Sequence, residues 1–245
     1  MANAGTALFV SDLHLSPHEA ATADRFLAFL AGPAHTAASL TILGDLFDYW
    51  AGDDDLADPF NARIAAALHE LSAAGIEVGF MAGNRDFLVG RNFAAAAGIE
   101  LLPDPCLRNI AGVPTLLTHG DTLCTDDVDY QRFRAQVRSP EWRTTFLARP
   151  LAERRREIAM LRTRSEDEKR HKPMQIMDVN ASAVVTALAA LGAQAMIHGH
   201  THRQGRHEHL VAGKSCLRWV LGDWHAAHGN ALACTPQGCR FLPVD

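Results

Sequence analysis

The stretch Thr6-Ala7-Leu8-Phe9-Val10-Ser11-Asp12-Leu13-His14 is a short apolar run that ends in an aspartate and a histidine two residues apart. Its apolar, β-rich character is that of a strand. Residues two apart project to one side of extended backbone, so Asp12 and His14 face the same way where the strand gives out. Four later segments repeat the plan. Residues 40–43 run into Gly44-Asp45, with Asp48 close behind. Residues 76–81 lead to Gly83-Asn84-Arg85-Asp86, residues 113–118 to His119-Gly120-Asp121, and residues 195–197 to Gly199-His200-Thr201-His202. Carboxylate, amide and imidazole donors without a thiolate suit Mn²⁺, Mg²⁺, Fe or Zn better than they suit a structural zinc site. A lone Asp-x-His or His-x-His is commonly incidental, but five fragments in order, each closing a strand, predict a two-metal hydrolytic centre.

Between these strands the apolar spacing changes to that of helices. Residues 19–31 carry Phe26, Leu27 and Leu30 on one stripe, residues 59–73 carry Ile64, Leu68 and Leu71, and a third helix is expected over 177–191. Strands over 216–221 and 231–242, with a hairpin near Pro236-Gly238, close the chain. From 125 to 171 strand signal is scarce and arginine is frequent, with Pro140 and Pro150 at expected helix boundaries. That segment reads as a helical insertion. Strands alternating with helices, then adjacent strands at the end, predict a mixed α/β architecture.

At 245 residues, with 48% hydrophobic and 21% charged content, the chain suits one α/β domain spanning 1–245. A net charge of −5 weighs against a nucleic-acid binder. Between Asp126 and Asp178, however, thirteen basic residues meet ten acidic ones, against ten and eighteen elsewhere. A solvated helical face or a functional basic segment accounts for this. Five cysteines without a CxxC pair, and an N-terminus without a basic leader, suggest free thiols in a reducing cytosol. The charge-free stretch 181–197 is too short and polar to span a membrane.

The order Asp-x-His, Gly-Asp-x-x-Asp, Gly-Asn-x-Asp, His-Gly-Asp, Gly-His-x-His resembles the calcineurin-like metallophosphoesterase superfamily. The resemblance implies a four-layer α/β/β/α sandwich with a helical cap at 126–176. It also implies Asp12, His14, Asp45 and His202 on one metal, and Asp45, Asn84, His119 and His200 on the other. One departure is informative: the superfamily usually has histidine after the Gly-Asn asparagine, where this chain has Arg85. An arginine does not give up a proton at ordinary pH, but it clamps phosphate oxygens bidentately. Arg85 therefore points to a phosphoanhydride, whose phosphate leaving group needs little protonation.

Longer stretches narrow the likeness. Residues 9–15, 83–88, 119–127, 176–180 and 197–203 resemble the UDP-2,3-diacylglucosamine hydrolase family of lipid A biosynthesis. That resemblance implies two Mn²⁺ ions and hydrolysis at the α-phosphorus to UMP and 2,3-diacylglucosamine 1-phosphate. It further implies peripheral association with the cytoplasmic face of the inner membrane, and no oligomer is required. Asp45, Asn84, Arg85 and His119 take catalytic positions. Asn84, Arg85, Asp127, Tyr130, Ser165, Lys169, Lys172 and His200 match substrate contacts, with lysine at 169 where the family usually has asparagine.

Several residues carry two readings. Phe133, Val137, Phe146, Leu151, Ile158 and Leu161 pack the cap or line an acyl channel. Arg154, Arg155 and Arg156 meet anionic headgroups or form a solvated face. Asp48, Asp86 and Asp121 orient ligands or cap turns. His198 is expected beside the ligands rather than among them, and His225, behind Gly222-Asp223-Trp224, is a candidate to approach the site. The rival functions are a generic phosphodiesterase, a pyrophosphatase acting on a soluble nucleotide sugar, and a protein-binding scaffold. A scaffold would be expected to lose ligands, and all seven are present.

Overall fold

Strand β1 (Ala7–Val10) sends Leu8 and Val10 to one side and Phe9 to the other, and both sides are buried. A strand covered on two faces needs a layer on each, and that requirement organises the chain. The structure, a computed structural model, describes residues 5–171 and 176–244, without the side chains of 163–171.

In chain order, β1 is followed by α1 (Ala20–Ala31), β2 (Ser39–Leu43), α2 (Pro59–Ala73), β3 (Glu77–Met81), α3 (Arg91–Ala97), β4 (Glu100–Leu102), β5 (Cys106–Ile110) and β6 (Val113–Leu117). Helices α4 (Val128–Val137), α5 (Pro140–Leu147) and α6 (Leu151–His171) come next. The chain ends with α7 (Ala181–Ala190), β7 (Ala195–His198), β8 (Gly205–Val211), β9 (Lys214–Val220), β10 (Gly229–Thr235) and β11 (Gly238–Val244).

One sheet has the order β11-β10-β1-β2-β3-β4, with β1 to β4 parallel. The other has the order β5-β6-β7-β9-β8, with β6, β7 and β9 parallel. Leu8, Leu40, Ile42 and Phe80 pack outward with Phe26, Phe29, Leu68 and Phe93 from α1, α2 and α3. Phe9, Leu43, Met81, Leu117 and Ile197 meet between the sheets. Leu116 and Met196 pack with Val184 and Leu188 of α7. The result is the expected four-layer α/β/β/α sandwich, in which each fully buried Leu, Ile or Phe contributes roughly 1.5–3 kcal/mol.

The strand foreseen fourth is the sixth, because α3, β4 and β5 precede it; β8 was also not foreseen. Helix α7 begins at Ala181 rather than 177, because Asn180 Oδ1 accepts from the backbone N–H groups of Ser182 and Ala183. The five-free-thiol expectation needs correction too. The hairpin register sets Cys234 opposite Cys239, where they form a disulfide, while Cys106, Cys124 and Cys216 are free.

Helices α4 to α6 form the insertion. Asp127 caps α4 through Tyr130 N, and Ser139 caps α5 ahead of Pro140. Val137 and Phe146 are buried and Ile158 packs on the main core, whereas Phe133 is 41% exposed. Neither reading of Arg154 and Arg155 survives: both bind the domain beneath. Arg154 is 2% exposed and donates to the carbonyls of Ala51 and Arg149 and to Asp54. Arg155 pairs with Asp55 and Asp58, and Arg162 with Asp48 at 2.7 Å. Arg156 is exposed.

Arg154→Met is therefore expected to cost about 2 kcal/mol, because it strands the buried Ala51 carbonyl. Asp54 is half exposed, so Asp54→Asn should cost well under 1 kcal/mol. Urea denaturation of the two variants checks the ordering.

Candidate metal centre

The parallel strands end at one edge of the sandwich, and there the backbone departs from ordinary geometry. Asp12, His14, Asp45, His200 and His202 all have φ between 49° and 67°, in the left-handed region that non-glycine residues avoid. Hydrogen bonds hold them there. Asp12 N donates to Gly44 O at 3.1 Å, and His14 N to Asp45 O at 2.9 Å, so the first two loops run side by side. Asp86 accepts from the backbone N–H groups of Gly83, Asp45, Leu46 and Phe47, between 2.7 and 3.3 Å. It thereby ties the Gly-Asn loop to the Gly-Asp loop. Burial and the neighbouring Asp45 push the Asp86 carboxyl up to about 7.

Two groups of donors result. In one, His14 Nε2 lies 3.4 Å from His202 Nε2, His202 Nε2 lies 3.4 Å from Asp12 Oδ1, and His14 Nδ1 lies 3.9 Å from Asp45 Oδ2. In the other, Asn84 Oδ1 is 2.9 Å from His119 Nε2 and 2.8 Å from His200 Nδ1. The second oxygen of Asp45, Oδ1, is 3.8 Å from His119 Nε2. Asp45 thus faces both groups, one oxygen to each, as a bridging carboxylate must. Asp12 also stands within reach of Asp45 and His119.

Tautomers agree with metal binding. His119 Nδ1 lies 2.8 Å from Leu43 O, so that nitrogen carries the proton and donates. Once the ring gives up its second proton, Nε2 points a lone pair toward the oxygen of Asn84, and the two can share a cation. Asp12 Oδ1 and His14 Nδ1 are buried without a hydrogen bond among the described residues. Orphaned donors of this kind fit a divalent ion with nitrogen and oxygen ligands.

The electrostatics follow. Burial disfavours the charged form of Asp12, but His202, His119 and His14 outweigh it and hold the carboxyl below the usual range. Burial also lowers His119, yet Asp45, Asp12 and Asp121 raise it to about 9. At His202 burial is overcome by Asp12 and by Asp223, whose Oδ2 is 3.4 Å from Nδ1, and the ring rises to about 10. His200 falls to about 4 through burial and the neighbouring His119.

Asp223 is the residue that the sequence analysis missed. It orients His202 from the loop after β9, the same loop that carries His225. His225 instead packs on His228, with ring centroids 3.9 Å apart. The only clue to Asp223 was its place behind a strand.

Arg85 donates through its backbone N–H to Asp45 Oδ1 at 2.8 Å, and its guanidinium has no hydrogen-bond partner among the described residues. Asp121 accepts from the Tyr130 hydroxyl at 2.6 Å and from Arg134 Nε at 2.7 Å, and Arg138 lies 3.7 Å away. The Tyr130 ring stacks on His200 with centroids 6.0 Å apart. The insertion is thereby keyed to the loop that carries His119. Ser165, Lys169 and Lys172 lie outside the residues whose side chains are described.

Gly83 and Gly199 are among the glycines that admit no side chain. A Cβ on Gly83 would strike the carboxylate and backbone nitrogen of Asp45, and one on Gly199 would strike Ser11 and Asp12.

The calcineurin-like phosphoesterase family profile matches residues 5–204. A protein of Aromatoleum aromaticum named UDP-2,3-diacylglucosamine hydrolase is 52% identical over 220 residues, which are 90% of this chain and 89% of its own. Proteins of the same name from Nitrosococcus oceani and Edwardsiella ictaluri are 48% and 46% identical. Their matches cover 95% and 97% of this chain, and 92% and 91% of theirs.

Two outcomes are expected. His119 and His202, raised to about 9 and about 10, hold protons at neutral pH that a metal must displace. Mn²⁺ affinity should therefore climb with pH up to that range, by about tenfold per unit for each proton displaced. Calorimetry in buffers of different ionisation enthalpy counts those protons. Gly83→Ala should weaken Mn²⁺ binding by about 10–100-fold, the usual effect of disturbing a ligand's support, while far-UV circular dichroism stays unchanged.

Proposed function

The chain belongs to the calcineurin-like phosphoesterase family, and from that premise we propose that it hydrolyses UDP-2,3-diacylglucosamine to UMP and 2,3-diacylglucosamine 1-phosphate in lipid A biosynthesis. The observation that carries the chemistry is the convergence of seven nitrogen and oxygen donors with Asp45 turned to both halves. The substrate class rests on relatives of that name at 46–52% identity over nearly the whole chain.

In this reading Asp12, His14, Asp45 and His202 hold one Mn²⁺, and Asp45, Asn84, His119 and His200 the other. When bound, the two ions supply Lewis acidity to the phosphoryl oxygens and lower the pKa of a water. The chain's own residues do the rest. Asn84 and Arg85 steady the charge that builds on the α-phosphoryl oxygens, with the guanidinium, which has no hydrogen-bond partner among the described residues, as a bidentate clamp. The departing sugar phosphate is weakly basic, so the absence of a histidine after Asn84 costs little. Tyr130, pinned by Asp121 and stacked on His200, offers its ring to the glucosamine side. Asp127, Ser165, Lys169 and Lys172 complete that side, and the insertion at 126–176 covers the acyl chains.

The resemblance to that family supports a peripheral enzyme at the cytoplasmic face of the inner membrane, and a lipid substrate agrees with it. No helix among the described residues is long and apolar enough to cross a membrane.

Mn²⁺-dependent release of UMP from UDP-2,3-diacylglucosamine in ¹⁸O-water tests the reaction. Label is expected in UMP; label in the lipid phosphate instead would place the attack on the other phosphorus. Arg85→Ala should lose about 10²–10³-fold in kcat, the range for removing one transition-state donor, with two Mn²⁺ retained. Full turnover by that variant would remove Arg85 from the mechanism.

A further inference from the structure

Among the ligands sits a histidine that belongs to neither group of donors. His198 ends β7 and is fully buried. Its ring lies against Gly120, where a Cβ would come within 2.8 Å of Nδ1. The imidazole is therefore wedged between the loop that carries His119 and the loop that carries His200. Its Nδ1 is 2.8 Å from the carbonyl oxygen of Gly199, and its Nε2 is 3.0 Å from Nη1 of Arg218 on β9. Arg218 is 7% exposed, and its Nε donates to His209 Nε2 at 3.0 Å.

Chemistry fixes the proton on His198. A guanidinium donates and never accepts, so Nε2 must accept. The ring proton then sits on Nδ1 and is donated to Gly199. That carbonyl also accepts from Thr201 N at 2.8 Å. Between these two residues stands His200, with φ of 67°. A bond from residue i+2 back to residue i around a left-handed residue is the rare, strained form of the γ-turn. The strained residue is the one whose Nδ1 meets Asn84.

We propose that Arg218 is a positioning residue of the metal centre: it locks His198 as the Nδ1–H tautomer, whose hydrogen bond to Gly199 holds the strained turn that presents His200. Without Arg218 the ring is free to carry its proton on Nε2. Nδ1 would then turn a lone pair toward the Gly199 oxygen at 2.8 Å, and two acceptors at that distance repel. The inference rests on reading His200 as a metal ligand.

The test uses the full chain, wild type and with Arg218→Met or Arg218→Lys. Ring ¹⁵N NMR of the metal-free protein, with His198→Gln to assign the signal, reports the tautomer. Mn²⁺ titration followed by electron paramagnetic resonance reports the two sites. The expected wild-type ring is Nδ1–H. Arg218→Met should shift the ring toward Nε2–H and weaken one Mn²⁺ site by about tenfold or more, and Arg218→Lys, which keeps a donor, should restore both. A wild-type ring protonated on Nε2 overturns the proposal without any variant. So does an Arg218→Met protein with an altered tautomer and both sites intact, or with the wild-type tautomer retained. A wild-type chain that takes up no Mn²⁺ overturns the ligand reading, and the positioning role with it.

Discussion

The centre depends on backbone that its own residues disfavour. Five of the seven donor residues sit in left-handed conformations that cost of order 1–3 kcal/mol each. Together they rival the whole net stability of an ordinary domain. Such geometry persists only where neighbours over-determine it. Here the neighbours are the four N–H groups gathered by Asp86, the pairing of the first two loops, and the contacts beneath Gly83 and Gly199. The two sheets supply the rigid ends from which those loops spring. What the strain achieves is direction: side chains from five separate strands turn inward within two to four residues of leaving the sheet.

Charge is arranged with the same economy. Asp45 and Asp12 face three imidazoles, and of these His119 and His202 are raised while burial lowers His14. Asp121, fully buried, collects Tyr130, Arg134 and Arg138 from α4 and the residue after it. A second line of contacts, Arg154, Arg155 and Arg162 against Asp54, Asp55, Asp58 and Asp48, fastens α6 to the loops after β2. Five arginines of the insertion, Arg134, Arg138, Arg154, Arg155 and Arg162, thus grip the domain below.

The ligand residues were legible because each ends an apolar run, and that signal is local. Helix α2 was legible for the same reason, its stripe of Ile64, Leu68 and Leu71 being periodic. What escaped is what depends on distant partners. β5 and β8 are edge strands with mostly exposed residues, so no hydrophobic alternation marks them. α3 is seven residues long, and the backbone at its start is held by Asp53, which accepts from Gly90, Asn92 and Phe93 across a long span of chain. The burial of Arg154 and the pairing of Cys234 with Cys239 are tertiary facts. Positive φ at aspartate and histidine leaves no trace in residue type, as it would at glycine.

The insertion leaves and rejoins the sandwich at almost one point. Asn180 N donates to Leu123 O at 2.8 Å, and Asn180 Nδ2 reaches Asp126 at 3.0 Å. The domain therefore senses the intervening segment as a loop whose two ends are already closed. The junction is closed by its own hydrogen bonds, independently of the contacts that Tyr130, Phe146 and Arg154 make with the domain beneath. Leu123, Asp126 and Asn180 are none of the seven donors, so the segment between them is closed by residues separate from the metal centre.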